Sequence, residues 1–169
     1  DVIFVNDLVG YIGGTDVVLG DFFLSIIKTS DGGQSWQQMT HWSDYFFSNV
    51  FFYDETLGWF TGSYEQIAPG GNTYNGYVIC KTSSGASGWS QYYNEDSGPG
   101  NIYFTTMDTG WAVGHGGMIL DSQDGGINWN VDYVEPFKNL NAITFTDKNH
   151  GWTVGNDGTV LYIQNATTV

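Results

Sequence analysis

Arginine is absent from this chain, and only four lysines (Lys28, Lys81, Lys138 and Lys148) stand against 18 acidic residues. The formal net charge of −14 argues against nucleic acid and anionic membranes as partners, because both need clustered Lys or Arg. Acidity of this kind keeps an aromatic-rich surface in solution. A single cysteine, Cys80, excludes an intrachain disulfide; within Tyr77-Val78-Ile79-Cys80 it reads as a buried, unreactive thiol. No apolar run approaches the roughly 18 residues needed to cross a bilayer, so membrane insertion is not expected. The chain shows no signal peptide and begins at Asp1 without methionine, as expected of a processed or excised product. With three prolines and no helical spacing capped at both ends, helices are not expected either. Abundant Gly, Asn, Ser, Thr and Tyr beside so little lysine suggest an extracellular or periplasmic protein of bacterial type.

What the chain does have is repetition. Gly110-Trp111-Ala112-Val113-Gly114 leads through a Gly-Gly turn and an apolar run to Ser122-Gln123-Asp124-Gly125-Gly126-Ile127-Asn128-Trp129. The same order runs from Gly10 and Tyr11 to Asp31, Gly33 and Trp36. It recurs in altered form from Gly58 and Trp59 to Trp89, and a fourth copy opens at Gly151 and Trp152. The anchors at 10, 58, 110 and 151 bound copies of approximately 1–40, 41–94, 95–133 and 134–169 within one repeat domain. An alternating apolar segment precedes each anchor, as in Ala142-Ile143-Thr144-Phe145, and each copy reads as four short antiparallel strands. That is the unit of a β-propeller blade, so the expected fold is all-β: about four four-stranded blades, the last incomplete. Two longer intervals, Gly13 to Leu24 and Ser63 to Gly76, read as insertions on one face, where binding loops are commonly found.

The pattern Ser/Thr-x-Asp-x-Gly-x-Ser/Thr/Asn-Trp has a mechanical reading. The aspartate accepts backbone N–H groups just ahead of it, the glycines supply forbidden backbone angles, and the tryptophan packs across the turn. Thr29 to Trp36 and Ser122 to Trp129 resemble the Asp-box, or bacterial neuraminidase repeat. With the preceding Gly-Trp-x-x-Gly, the whole unit resembles the photosystem II stability/assembly factor type of propeller repeat. The second copy departs from it, with Ser84 for the aspartate and Ala86 for the glycine; the fourth has Asn165 and no tryptophan. The resemblance implies a propeller. It does not fix a function, because such boxes occur in hydrolases, sorting receptors and assembly factors.

Several chemistries are then weighed. Sialidases grip a substrate carboxylate with arginines, which this chain lacks. Asp16, Asp21, Glu55, Glu65, Asp96 and Asp108 could supply a glycosidase pair, yet no spacing singles one out, and no catalytic residue is assigned. Partner binding in the photosystem family is associated with a basic patch, which this sequence does not offer. No cofactor is expected; calcium is the alternative kept open, at Asp121, Asp124 and Asn128 or at Glu95-Asp96 with Asn94 and Asn101. His41, His115 and His150 read as single turn residues. Tyr64, Tyr74 and Tyr77, in or beside the long insertion, are the candidate binding residues, with Tyr92-Tyr93 nearby. Asn165-Ala166-Thr167 is a glycosylation acceptor pattern.

The expected function is a non-catalytic, secreted module for binding protein or building a surface structure. A carbohydrate-binding propeller or part of a glycosidase is the alternative. The last copy is expected to lack its outermost strand. Its open edge near Val160 to Ile163 would be hidden by further blades of a larger ring, by closure of four blades, or by a strand from another molecule in self-association.

Overall fold

A computed structural model of the chain describes residues 1–67, 70–95 and 98–164. Four antiparallel sheets follow one another along the chain. The first holds β1 (Val2–Phe4), β2 (Gly10–Val18), β3 (Asp21–Thr29) and β4 (Gln37–Ser43); the second holds β5 (Tyr45–Phe52), β6 (Gly58–Ile67), β7 (Thr73–Thr82) and β8 (Ser90–Glu95). The third comprises β9 (Pro99–Phe104), β10 (Gly110–Gly114), β11 (Met118–Ser122) and β12 (Asn130–Tyr133). The fourth has β13 (Leu140–Asp147), β14 (His150–Gly155) and β15 (Val160–Gln164). Within each sheet neighbours in sequence are neighbours in space, the meander of a propeller blade. Short 3-10 turns, His115–Gly117 and Asn156–Gly158, join the central strands of the last two sheets. The Asn165 position of the fourth box and its glycosylation pattern lie outside the described residues, as does Asp96.

The two long intervals are not insertion loops. Gly13 to Leu24 continues β2 and β3 in unbroken register to the pair Val18 and Asp21. Likewise β6 and β7 stay paired out to Ile67 and Thr73. The central hairpins of the first two sheets are simply longer than those of the third and fourth.

One packing device recurs in every copy. Six residues before each anchor glycine stands a phenylalanine: Phe4, Phe52, Phe104 and Phe145. Strand register sets each ring across its own glycine. A Cβ at Gly10, Gly58, Gly110 or Gly151 would come within 3.0 Å of that ring, so only glycine leaves the space.

The chain divides into two compact units, Asp1–Ser97 and Gly98–Val169, each containing two sheets. In the first, Tyr11, Leu24 and Ile26 of one sheet pack with Val50, Phe52, Phe60, Val78 and Cys80 of the next. Tyr11 lies flat on Phe52, with centroids 3.5 Å apart and planes 3° from parallel. Its hydroxyl donates to the Glu55 carbonyl at 2.6 Å, which satisfies the polar end of a buried ring. In the second unit, Val113 packs with Leu140, Ile143, Phe145 and Ile163, and Trp111 covers Phe145 at 5.8 Å. The Ile143 N–H donates to Asn101 Oδ1 at 3.0 Å, tying these two sheets together.

Candidate functional site

The two intact turns are built alike. Asp31 Oδ1 accepts the Ser35 N–H at 2.9 Å, and Asp124 Oδ1 accepts those of Ile127 and Asn128 at 3.0 and 2.9 Å. The residue two places earlier is the hub: Thr29 Oγ1 donates to Asp31 and accepts the Gly33 N–H, and Ser122 Oγ does the same with Asp124 and Gly126. Gly33 and Gly126 hold φ of 89° and 83°, where a β-carbon is disfavoured. Trp36 and Trp129 donate their indole N–H to the Gly33 and Gly126 carbonyls at 3.2 and 3.1 Å. Each indole also meets the phenylalanine of its own copy edge-on, Phe4 at 6.1 Å and Phe104 at 5.9 Å. These donors hold both carboxyls down to about 2: chiefly the Ser35 hydroxyl at Asp31, and the Asn128 amide N–H at Asp124.

In the altered second copy Trp89 still meets Phe52 edge-on, at 6.1 Å. Its N–H, however, donates to Thr40 Oγ1 of the preceding sheet at 2.9 Å, and Thr40 donates to the Ala86 carbonyl at 3.2 Å. Ala86 takes the left-handed conformation with φ of 70°.

Asp124 Oδ2 accepts the Asn128 side-chain amide at 2.7 Å, and Asp121 Oδ2 accepts that of Asn130 at 3.1 Å. The acidic group considered for calcium is thus engaged within its own turn. Among the described residues no group of three His, Cys, Asp or Glu is placed to hold a metal.

The candidate tyrosines lie on strands rather than in a loop, Tyr64 on β6 and Tyr74 and Tyr77 on β7. Tyr64 is half-buried against Tyr45 and shares a depression of about 240 Å³ with Tyr77, Glu65 and Asn75. Tyr74 pairs with Gln66 nearer the hairpin tip and is 57% exposed. Of the anchors, Tyr11 and Trp59 are fully buried, with Lys28 Nζ 5.3 Å and Lys81 Nζ 5.7 Å from their ring centres. Trp111 is half-buried and Trp152 is exposed.

Of the carboxylates considered for a catalytic pair, Asp21 and Glu65 come together at one concavity, described below, and Asp16 and Glu55 are engaged elsewhere. Asp16 accepts the Ser25 hydroxyl at 2.8 Å, and Ser25 Oγ lies 3.2 Å from His41 Nδ1. The hydroxyl stands between carboxylate and imidazole, so the carboxylate does not orient the imidazole as a nucleophilic triad requires. Glu55 accepts the Asn6 amide at 2.8 Å, and His150 pairs with Asp147 at 2.8 Å.

Two concavities in the first unit were not read from the sequence. One, about 300 Å³, lies at the outer ends of the long hairpins; Phe22, Phe46 and Ile67 line it together with Asp21, Asp44 and Glu65. None of these three carboxylates has a hydrogen-bond or ion-pair partner among the described residues. The second is an open groove of about 540 Å³, where Trp42, Tyr45 and Trp89 stand beside Gln66, Gln91 and the same Asp44. Residues from β4, β5, β6 and β8 meet here, a juxtaposition no local pattern announces.

Residues 82–164 match the family described as photosynthesis system II assembly factor YCF48. The repeats are of the bacterial neuraminidase type. No curated protein matches the chain. Among solved structures, YCF48 bound to D1 peptide is similar over 99% of this chain and 50% of its own, with 22% identity and a TM-score of 0.69. YCF48 from Cyanidioschyzon merolae is similar over 94% and 52%, with 20% identity and a TM-score of 0.61. The GH74 enzyme of Niastella koreensis is similar over 97% and 28%, with 14% identity and a TM-score of 0.65. The chain therefore spans about half the length of the YCF48 structures, and its neuraminidase-type repeats form part of a β-propeller.

Proposed function

We propose that the chain is a non-catalytic protein-binding module, and that its first unit takes a polypeptide segment bearing basic and apolar side chains. The observation that carries this is the concavity where unpaired Asp21, Asp44 and Glu65 border Phe22, Phe46 and Ile67. Free carboxylates beside exposed rings suit a lysine or arginine side chain, whose apolar stem lies on the rings while its charge meets the acids. The similarity to a YCF48 structure solved with a D1 peptide supports a polypeptide as the ligand class. The acidic surface calls for a partner of opposite charge. The test is fluorescence anisotropy with labelled peptides of equal length, one alternating Lys and Leu, the other Glu and Leu. Micromolar binding of the first alone, weakened at least tenfold by Asp44→Asn or Phe22→Ala, is expected; equal or absent binding of both refutes the reading.

An extracellular or periplasmic location belongs to the same proposal, and protease accessibility on intact cells of the source tests it. The second reading, a glycan ligand, rests on the other groove. Flat faces of Trp42, Tyr45 and Trp89 beside the Gln66 and Gln91 amides are the chemistry that recognises neutral sugars. Glycan-array binding lost in Trp42→Ala, or in Tyr74→Ala or Tyr64→Ala on the neighbouring hairpin, would favour it.

A further inference from the structure

The open groove of the first unit, about 540 Å³, is built of rings that converge. Trp42, Tyr45 and Trp89 are each half-buried and line it together. Phe60, fully buried beneath them, meets Trp42 at 5.6 Å and 66° and Trp89 at 4.8 Å and 73°. Trp42 and Tyr45 meet each other at 5.3 Å and 61°. Trp89 is held further by its N–H on Thr40. The rings therefore make a corner of steep faces rather than a level platform. A sugar ring stacks on one level face, whereas a compact, rounded group touches several faces of a corner.

A carboxylate borders the same corner. Asp44 is the single residue between β4 and β5, and both its backbone groups are engaged. Its N–H donates to the Phe22 carbonyl at 3.1 Å, and its carbonyl accepts the Glu65 N–H at 3.0 Å. It holds φ of 64°, a left-handed conformation that aspartate tolerates and that strands on both sides keep in place. The carboxylate itself has no partner among the described residues. Both lysines of the first unit lie over other rings, Lys28 above Tyr11 and Lys81 above Trp59. His41, at the margin of the groove, is stacked on Phe23 at 4.4 Å with its Nδ1 turned to Ser25 and Gln38. Ring faces and a negative charge thus stand together with no lysine of the first unit to neutralise them.

We propose that this corner binds a quaternary ammonium group, the trimethylated nitrogen of a choline-type ligand or of trimethyl-lysine. Aromatic faces attract a cation through the ring quadrupole, most strongly where the cation is stripped of water. A trimethylammonium is weakly hydrated and turns methyl groups to every ring. A primary ammonium would instead leave N–H donors facing rings that cannot accept them well. Asp44 supplies the counter-charge without having to accept a hydrogen bond, and the net charge of −14 draws cations to the chain. The inference stands apart from the peptide reading, whose basic side chain goes to the concavity of Phe22 and Phe46, although Asp44 borders both.

The test is an NMR titration of the whole isotope-labelled chain, followed at the tryptophan indole N–H signals. That of Trp42 has no hydrogen-bond partner among the described residues, so it reports the groove. Choline should shift it with a Kd of about 1 mM. Two relatives of choline should each bind at least about tenfold more weakly: the neutral analogue with carbon in place of nitrogen, and the primary amine ethanolamine. Tyr45→Leu keeps apolar bulk and should abolish the shift. If it fails to fold, judged by the remaining indole signals, Asp44→Asn replaces it and should weaken choline by about tenfold. Equal binding of the neutral analogue, tighter binding of ethanolamine, displacement by a neutral oligosaccharide, or no saturation below about 30 mM choline overturns the proposal. Phosphocholine and a trimethyl-lysine peptide then name the source: whichever binds tighter than choline carries the group, and if neither does, the ligand is a free small molecule. Choline binding without binding of the Lys and Leu peptide refutes the peptide reading alone; the reverse refutes this inference alone.

Discussion

Each intact turn places one carboxylate against several donors, and the arithmetic of proton binding follows. Asp31 and Asp124 fall from 3.8 to about 2 on folding, so their contribution is complete above about 4 and is lost as pH drops through about 2. Thermal unfolding followed at pH 7, 4 and 2 should show a falling midpoint between the last two. The double variant Asp31→Asn, Asp124→Asn should start lower at pH 7 and flatten that decline. The aspartate, glycine and tryptophan roles were legible in the sequence because a turn is specified within eight residues. The hub role of Thr29 and Ser122 was not, since a hydroxyl two places before an aspartate also fits an ordinary exposed strand end. Cys80 is a second case at this scale. Burial pushes its thiol up to about 12, so a thiol reagent at pH 8 should leave the native chain unlabelled and modify the urea-unfolded chain stoichiometrically.

At the level of the blade, the phenylalanine laid across its anchor glycine makes a sharp claim. Gly58→Ala and Gly110→Ala drive a methyl group into the Phe52 and Phe104 rings and should cost about 1–3 kcal/mol, read from urea unfolding. Gly14→Ala, in open space on β2, should cost less and serves as the control. Short strands with one face buried were readable from their alternation, as in β13, where Ile143 and Phe145 point inward and Thr144 outward. The long hairpins were misread for the opposite reason. Beyond Gly14 and before Gly76 both faces of the ribbon are largely exposed, so Thr15-Asp16-Val17-Val18 and Thr73-Tyr74-Asn75 carry no apolar period and pass for loop. The candidate tyrosines inherited that error: they were placed in or beside a loop, whereas strand pairing sets which of them share a surface.

For the molecule as a whole, 18 acids and four lysines leave an excess of like charge that folding concentrates. Only two ion pairs, Lys138 with Asp157 and His150 with Asp147, occur among the described residues, both exposed and of little weight. Raising NaCl from 20 to 500 mM should therefore increase the unfolding midpoint, the reverse of a fold held by salt bridges. The groove and the acidic concavity belong to this scale too. They join residues dozens of positions apart, and nothing short of the sheet stacking in the first unit could have revealed them.

The indole of Trp89 fastens its copy to the neighbouring sheet, where the intact copies fasten theirs to their own turn. With no turn aspartate in its own copy, it has been taken over by Thr40 next door, so two neighbouring repeats now share one fastening. An acid at position 84 alone would not reproduce the turn of the intact copies, because the ring donates to Thr40 and Ala86 stands where they have a glycine. Recreating that turn would involve positions 40, 84 and 86 together, and of these Ala86→Gly alone relieves a left-handed backbone rather than straining one.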